Sequence, residues 1–165
     1  MKRRDWMLAG LGATLGGLAW SEPAAIGSVV TWPTLQLLDG STWQAASWQG
    51  QPAIVVFWAT YCPFCKRHNA HLDKLYRETQ GRGLRLLGVA LDTDAAAVRK
   101  YMAQNQYQFP VVLDRGELRQ RVTARRVIPM TGSFDAQGRL LQAIPGEMFE
   151  EDLMDLAQAL RKRAA

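Results

Sequence analysis

An unbroken apolar run, Ala53-Ile54-Val55-Val56-Phe57-Trp58, is the strongest pattern in this chain, and it lacks the alternation of a half-exposed strand. It predicts a central strand buried on both faces. From Pro63 the spacing changes: His68, Leu72, Leu75 and Tyr76 recur three to four positions apart, which predicts a helix that Gly81 and Gly83 end. Leu84 to Leu91 reads as a second buried strand. Asp92-Thr93-Asp94 then caps a helix over Ala95 to Gln104, with Val98 and Met102 facing inward. Phe109 to Asp114 is a short strand, and Glu117 to Val122 a short helix before the irregular Arg125 to Pro129. Thr131 to Asp135 and Leu140 to Ile144 pair around Ala136-Gln137-Gly138-Arg139, and Leu153, Leu156 and Leu160 seam a last helix over Glu150 to Arg163. Upstream, Thr34 to Leu38 and Ser41 to Trp43 predict a hairpin around Asp39-Gly40, a pair that supplies the positive φ angles of a tight turn. Strands alternating with helices and closing on a hairpin and a helix predict an α/β fold, a mixed sheet flanked by helices.

At 165 residues, 48% hydrophobic and 21% charged, the chain fits one globular domain. The first residues form a separate unit. Met1-Lys2-Arg3-Arg4 is a basic cap, and Trp6 to Ser21 carries no charge yet falls short of the roughly 20 residues that span a bilayer. An export signal over residues 1–21 fits, cleaved after Ala19-Trp20-Ser21 or kept as a short anchor. Arg3-Arg4 followed by Asp5-Trp6-Met7 resembles a twin-arginine signal; an ordinary secretory signal is the alternative. Either places the folded domain outside the cytoplasm, where disulfides persist. Removing this segment takes away three of the 20 basic residues and one of the 15 acidic ones, so the remaining positive charge is modest. With no basic stripe interleaved with aromatics, nucleic acid is not an expected partner.

Cys62 and Cys65 are the only cysteines, separated by Pro63 and Phe64 where the strand hands over to the helix. Free N–H groups and the positive end of the helix dipole stabilise a thiolate there, and the thiolate is the reactive species. The pair therefore reads as a dithiol/disulfide switch. As a purely structural bridge it would contribute only about 2 kcal/mol, because the closed loop is so short. As half of a metal site it lacks a second ligand pair, although His68 completes a Cys-x2-Cys-x2-His string. Haem attachment needs His directly after the second Cys, and Lys66 stands there. Cys62, at the helix start, is the expected nucleophile, and Cys65, inside the first turn, the more shielded partner.

The order of elements, with Phe57-Trp58-Ala59-Thr60-Tyr61-Cys62-Pro63-Phe64-Cys65, Leu38-Asp39-Gly40, Trp48-Gln49-Gly50-Gln51-Pro52, Gly88-Val89-Ala90-Leu91-Asp92 and Ile128-Pro129-Met130-Thr131, resembles the thioredoxin fold. Within it the chain is similar to the exported TlpA-like branch of ResA/DsbE type, over residues 31–163 taken as one domain. The resemblance implies a thiol-disulfide oxidoreductase with no cofactor, acting on protein thiols and disulfides such as those of apocytochromes, fed by a membrane electron donor or acceptor, periplasmic and monomeric. It also implies a cis Ile128–Pro129 peptide against the sulfurs and a substrate groove shaped by Pro129, Ile128, Trp58, Tyr61, Pro63 and Phe64.

Several positions depart from the family pattern. Val56 stands where many thioredoxins have a buried acid, Tyr61 where Trp is usual, and His68 and Ala70 where TlpA-like proteins often have Glu and Pro. A reductant is expected, with a disulfide-forming oxidant or isomerase as the alternative and a Cu/Zn carrier without enzymatic activity as the alternative of another class. A peroxidase would have Thr three residues before its reactive Cys, where this chain has Ala59. His68 is expected at the core edge and His71 exposed, with proton transfer by His68 as a minor alternative. Arg126 is expected as a solvated arginine, or else as a cation approaching the sulfurs from the loop before Pro129. Asp92 and Glu78 are expected as cap and surface residues.

Overall fold

The computed structural model describes residues 23–164; the predicted export segment, 1–21, lies outside the described residues. The chain runs β1 (Leu35–Gln36), β2 (Thr42–Trp43), a short 3-10 helix (Ala45–Trp48), β3 (Ala53–Trp58), α1 (Pro63–Thr79), β4 (Arg85–Ala90), α2 (Ala95–Gln104), β5 (Val111–Leu113), α3 (Glu117–Val122), β6 (Met130–Phe134), β7 (Leu140–Pro145) and α4 (Glu150–Ala164). The main sheet has the order β5-β4-β3-β6-β7. β3, β4 and β5 are parallel, while β6 and β7 are antiparallel to their neighbours.

β3 is central and wholly buried, and its residues divide between two cores. Ile54, Val56 and Trp58 face α1, α2 and α4 through Leu72, Leu75, Val98, Leu153 and Leu160. Ala53, Val55 and Phe57 face the N-terminal segment and α3 through Trp32, Leu35, Leu118 and Val122. Alternation survives in space although hydropathy hides it in sequence.

The predicted elements form, with local corrections. The hairpin is shorter than expected, because Leu37 leaves β1 to bridge Val112 and Leu38 donates to the Val111 carbonyl at 2.7 Å. Its loop takes a positive φ only at Gly40 (89°), not at Asp39. The Asp39 carboxylate instead accepts from the Ser41 N–H at 2.8 Å and its hydroxyl at 2.7 Å. β5 starts at Val111 rather than Phe109, since Pro110 has no N–H and the Phe109 N–H is drawn to Asp73.

Asp73 is buried on α1 and organises the return toward the site. It pairs with Arg77 at 2.7 Å and accepts from the Gln108 and Phe109 backbone N–H groups. Phe109 is thereby seated against Trp58, with ring centroids 6.3 Å apart. A Cβ on Gly88 would meet Phe109 at 2.6 Å and Trp58 Nε1 at 2.9 Å, which explains a glycine in this buried strand.

Candidate active site

Cys62 is the N-cap of α1, with extended backbone (φ −94°, ψ 113°), and Pro63 begins the helix. Proline fits there because its fixed φ is helical and a first-turn N–H has no intrahelical acceptor. Cys62 and Cys65 are joined as a disulfide across that first turn. The Cys65 N–H donates to Cys62 Sγ at 3.2 Å, so a helix N–H addresses the outer sulfur directly. Cys62 retains 8% exposure and Cys65 none, an asymmetry that leaves one sulfur accessible to a second molecule.

Across from the sulfurs, Ile128–Pro129 is a cis peptide. Pro129 is buried, and the Ile128 carbonyl oxygen lies 3.8 Å from Cys62 Sγ. Tyr61 (74% exposed) and Phe64 (55% exposed) stand beside Cys62, and Val127 is exposed on the facing loop. Arg67 lies over the Phe64 ring, 5.2 Å from its centroid, and is held by a two-pronged pair with Glu147 at 2.7 and 2.6 Å. Trp58 is a correction to the expected groove. Its side chain is fully buried and packs on Tyr101, with ring centroids 5.2 Å apart, because its place on β3 turns it toward the helical face.

Asp92 corrects another expectation. Asp94 caps α2, accepting from the Ala96 N–H at 2.8 Å. Asp92 instead reaches sideways, accepting from the Thr60 N–H at 3.0 Å and from the Thr60 hydroxyl. It sits just past β4, beside the end of β3, and so braces the turn that delivers Cys62. Arg126 is exposed and forms no hydrogen bond or ion pair among the described residues.

His68 is fully buried rather than at the core edge, and His71 is half-buried, 3.9 Å from Glu150. The Met148 N–H donates to His68 Nδ1 at 3.0 Å, which assigns the ring proton to Nε2, 3.4 Å from Thr131 Oγ1. Both nitrogens thus serve the packing of α1 against the β7–α4 connection and β6, leaving neither for a metal. Burial above all, with His71 nearby and Glu147 opposing, pulls its pKa down to about 4. An unfolded histidine takes up a proton below about pH 6.5. Stability from the neutral ring is therefore complete above that pH and is lost as pH falls toward 4, by up to about 3 kcal/mol. Urea unfolding at pH 7 and pH 5 is expected to show a loss at pH 5 that shrinks in His68→Gln.

The sequence reading missed Asn69, Arg67 and the Asp92–Thr60 brace. Of these only Asn69 had a local signal, its position one turn after Cys65. Comparison with known proteins places the arrangement. Thiol-disulfide oxidoreductase ResA of Geobacillus thermodenitrificans is 26% identical over 157 residues, covering 94% of this chain and 90% of that protein. ResA of Halalkalibacterium halodurans is 25% identical over 130 residues, covering 79% and 74%. Among solved structures, a secreted Mycobacterium tuberculosis disulfide oxidoreductase homologous to E. coli DsbE superposes with a TM-score of 0.69 at 23% identity, over 79% of this chain and 97% of that one. A thioredoxin-family thiol:disulfide interchange protein from Chlorobium tepidum gives 0.72 at 24%, over 84% and 98%. These superpositions establish a thioredoxin-like fold. The AhpC/TSA family model matches residues 26–140, from before β1 to the start of β7, and with most of the sequence inside that span the chain belongs to the AhpC/TSA family.

Proposed function

We propose that this chain is an exported thiol-disulfide oxidoreductase that reduces protein disulfides through Cys62 and Cys65. The observation that carries this reading is the Cys62–Cys65 pair bonded across the first turn of α1, its outer sulfur facing the Ile128 carbonyl. In the working direction, Cys62 thiolate attacks a substrate disulfide; a mixed disulfide forms and one substrate thiolate leaves. Cys65 sulfur, having lost its proton, then attacks Cys62 Sγ and expels the second substrate thiolate. Two electrons pass from the protein dithiol to the substrate, and both leaving thiolates take protons from water.

Tyr61, Phe64, Val127 and Ile128 frame the groove in this proposal, and Pro129 shapes its floor. A peroxidase reading is disfavoured, because Ala59 stands where a peroxidase is expected to have threonine. Export through residues 1–21, periplasmic residence, apocytochrome thiols as substrates and a membrane donor of electrons are part of the proposal. The secreted neighbour supports export, and the thiol-disulfide oxidoreductase names of the relatives support protein thiols and disulfides as substrates. Among the described residues no helix is long and apolar enough to cross a membrane.

Equilibration with glutathione couples tests the reading. A reductant is expected to show a midpoint nearer to thioredoxin's value, about −270 mV, than to that of the oxidant DsbA, about −120 mV. A midpoint near the upper value reverses the direction of electron flow. Failure to exchange at all, with thiols that hold Cu(I) instead, sinks the enzymatic reading.

A further inference from the structure

The core between α1 and α2 holds buried polar atoms without hydrogen-bond partners among the described residues. Asn69 is fully buried, yet neither its Oδ1 nor its Nδ2 completes a hydrogen bond among the described residues. The Tyr101 hydroxyl and Trp58 Nε1 are in the same condition. The three lie together: the Trp58 and Tyr101 rings are tilted against each other at 5.2 Å, and the Asn69 amide is close enough to act on the Tyr101 hydroxyl, although neither completes a hydrogen bond among the described residues. Burial raises the Tyr101 pKa, and the neighbouring Asn69 amide works the other way. Buried amides without partners are costly and rare, so a group that acquires its partner only in another state of the protein is a natural explanation.

The helix supplies that partner. Asn69 is four residues after Cys65 on α1, and helical side chains lean toward the N-terminus, so the amide covers the turn that carries the Cys65 sulfur. In the disulfide, that sulfur has no proton and accepts only weakly. When the bond is reduced, Cys65 becomes a thiol that donates or a thiolate that accepts strongly. Cys62 already has its own donor, the Cys65 N–H. The inner sulfur has none from the helix start.

We propose that Asn69 is the hydrogen-bond partner of the Cys65 sulfur in the reduced protein, accepting from its thiol and donating to its thiolate, with Tyr101 and Trp58 completing the polar lining. The inference rests on the dithiol chemistry proposed above and concerns its second step. There the Cys65 proton leaves to solvent base, a Cys65–Cys62 bond forms, and the Cys62–substrate bond breaks, its electron pair departing on the substrate sulfur. Asn69 stabilises the Cys65 thiolate more than its thiol, which raises the fraction in the attacking form and speeds release of substrate; it stabilises neither sulfur in the disulfide, which makes the couple less reducing.

Asn69→Leu, which keeps the branching and heavy-atom count of the side chain but replaces the amide by two bulkier methyl groups, tests this. Oxidation by glutathione disulfide is expected to become about tenfold more favourable, about 30 mV toward the negative. Release of substrate from the mixed disulfide, followed by rapid mixing, is expected to slow by about tenfold, the kinetic equivalent of one charged hydrogen bond. Alkylation of Cys62 in a Cys65→Ser background is expected to be unchanged, because its donor is the backbone. Thermal unfolding of the oxidised form is expected to be unimpaired, since an unpaired amide has been removed. Tyr101→Phe, which deletes one oxygen and keeps the ring contact with Trp58, shifts midpoint and release the same way by a smaller factor and serves if Asn69→Leu does not fold. Unchanged midpoint and release in the folded variants, beside normal exchange in the wild-type protein, overturn this inference alone. No exchange in the wild-type protein overturns the functional reading and this inference with it.

Discussion

Cys62→Ser is expected to abolish disulfide exchange, lowering the rate by on the order of 10³-fold or more, because a serine hydroxyl is not ionised by a helix N-terminus at neutral pH. Cys65→Ser is expected to fail differently. It attacks a substrate disulfide once and then stalls as a mixed disulfide through Cys62, which mass spectrometry detects as a stoichiometric adduct. The asymmetry follows from exposure and hydrogen bonding. Cys62 is the partly accessible sulfur and receives the Cys65 N–H, while Cys65 is sealed inside the first turn. A stalled adduct on Cys65 in Cys62→Ser, with no adduct and no exchange in Cys65→Ser, would reverse the roles of the two sulfurs.

Trp58→Ala is expected to cost about 3–5 kcal/mol of stability, read as a fall in the urea midpoint with an unchanged slope. The indole fills the space between β3, α2 and the segment around Phe109, and no neighbour in that packed core can close the cavity. Phe64→Ala, between the two cysteines but on the surface, is expected to cost under about 1 kcal/mol, the loss of its contact with Arg67. The functional effects run in the opposite sense. Phe64→Ala is expected to slow exchange with a protein disulfide more than with glutathione, because only the larger substrate covers the exposed ring. Equal losses of stability in the two variants would return Trp58 to the groove.

Much of the architecture was legible because it is written in local periodicity. β3, α2 and α3 begin and end where the apolar patterns do, and α1 starts at the proline that no helix interior would accept. The less legible parts share one cause. A strand buried on both faces has no polar side to mark its orientation, so Trp58 reads equally as rim or as core. Capping patterns identify a class of residue rather than a position, and Asp92 and Asp94 compete until the neighbouring strand end draws one away. His68 shows an apolar-face spacing, yet its partners, Met148 and Thr131, come from segments far along the chain.

The amino-acid sequence by itself determined the reactive pair: two sulfurs at a strand-to-helix junction, with a helix start to polarise the first and one turn of helix to bring the second within bonding reach. That follows from the geometry of a few consecutive residues. The tertiary structure alone decided what surrounds them, placing the Ile128 carbonyl against Cys62, Asp92 under Thr60, and Asn69 with Tyr101 and Trp58 in one buried core. Except for the helical neighbours Cys65 and Asn69, these meetings join residues separated by tens of positions. They depend on how sheet order and packing close the chain on itself, and no local spacing encodes that closure.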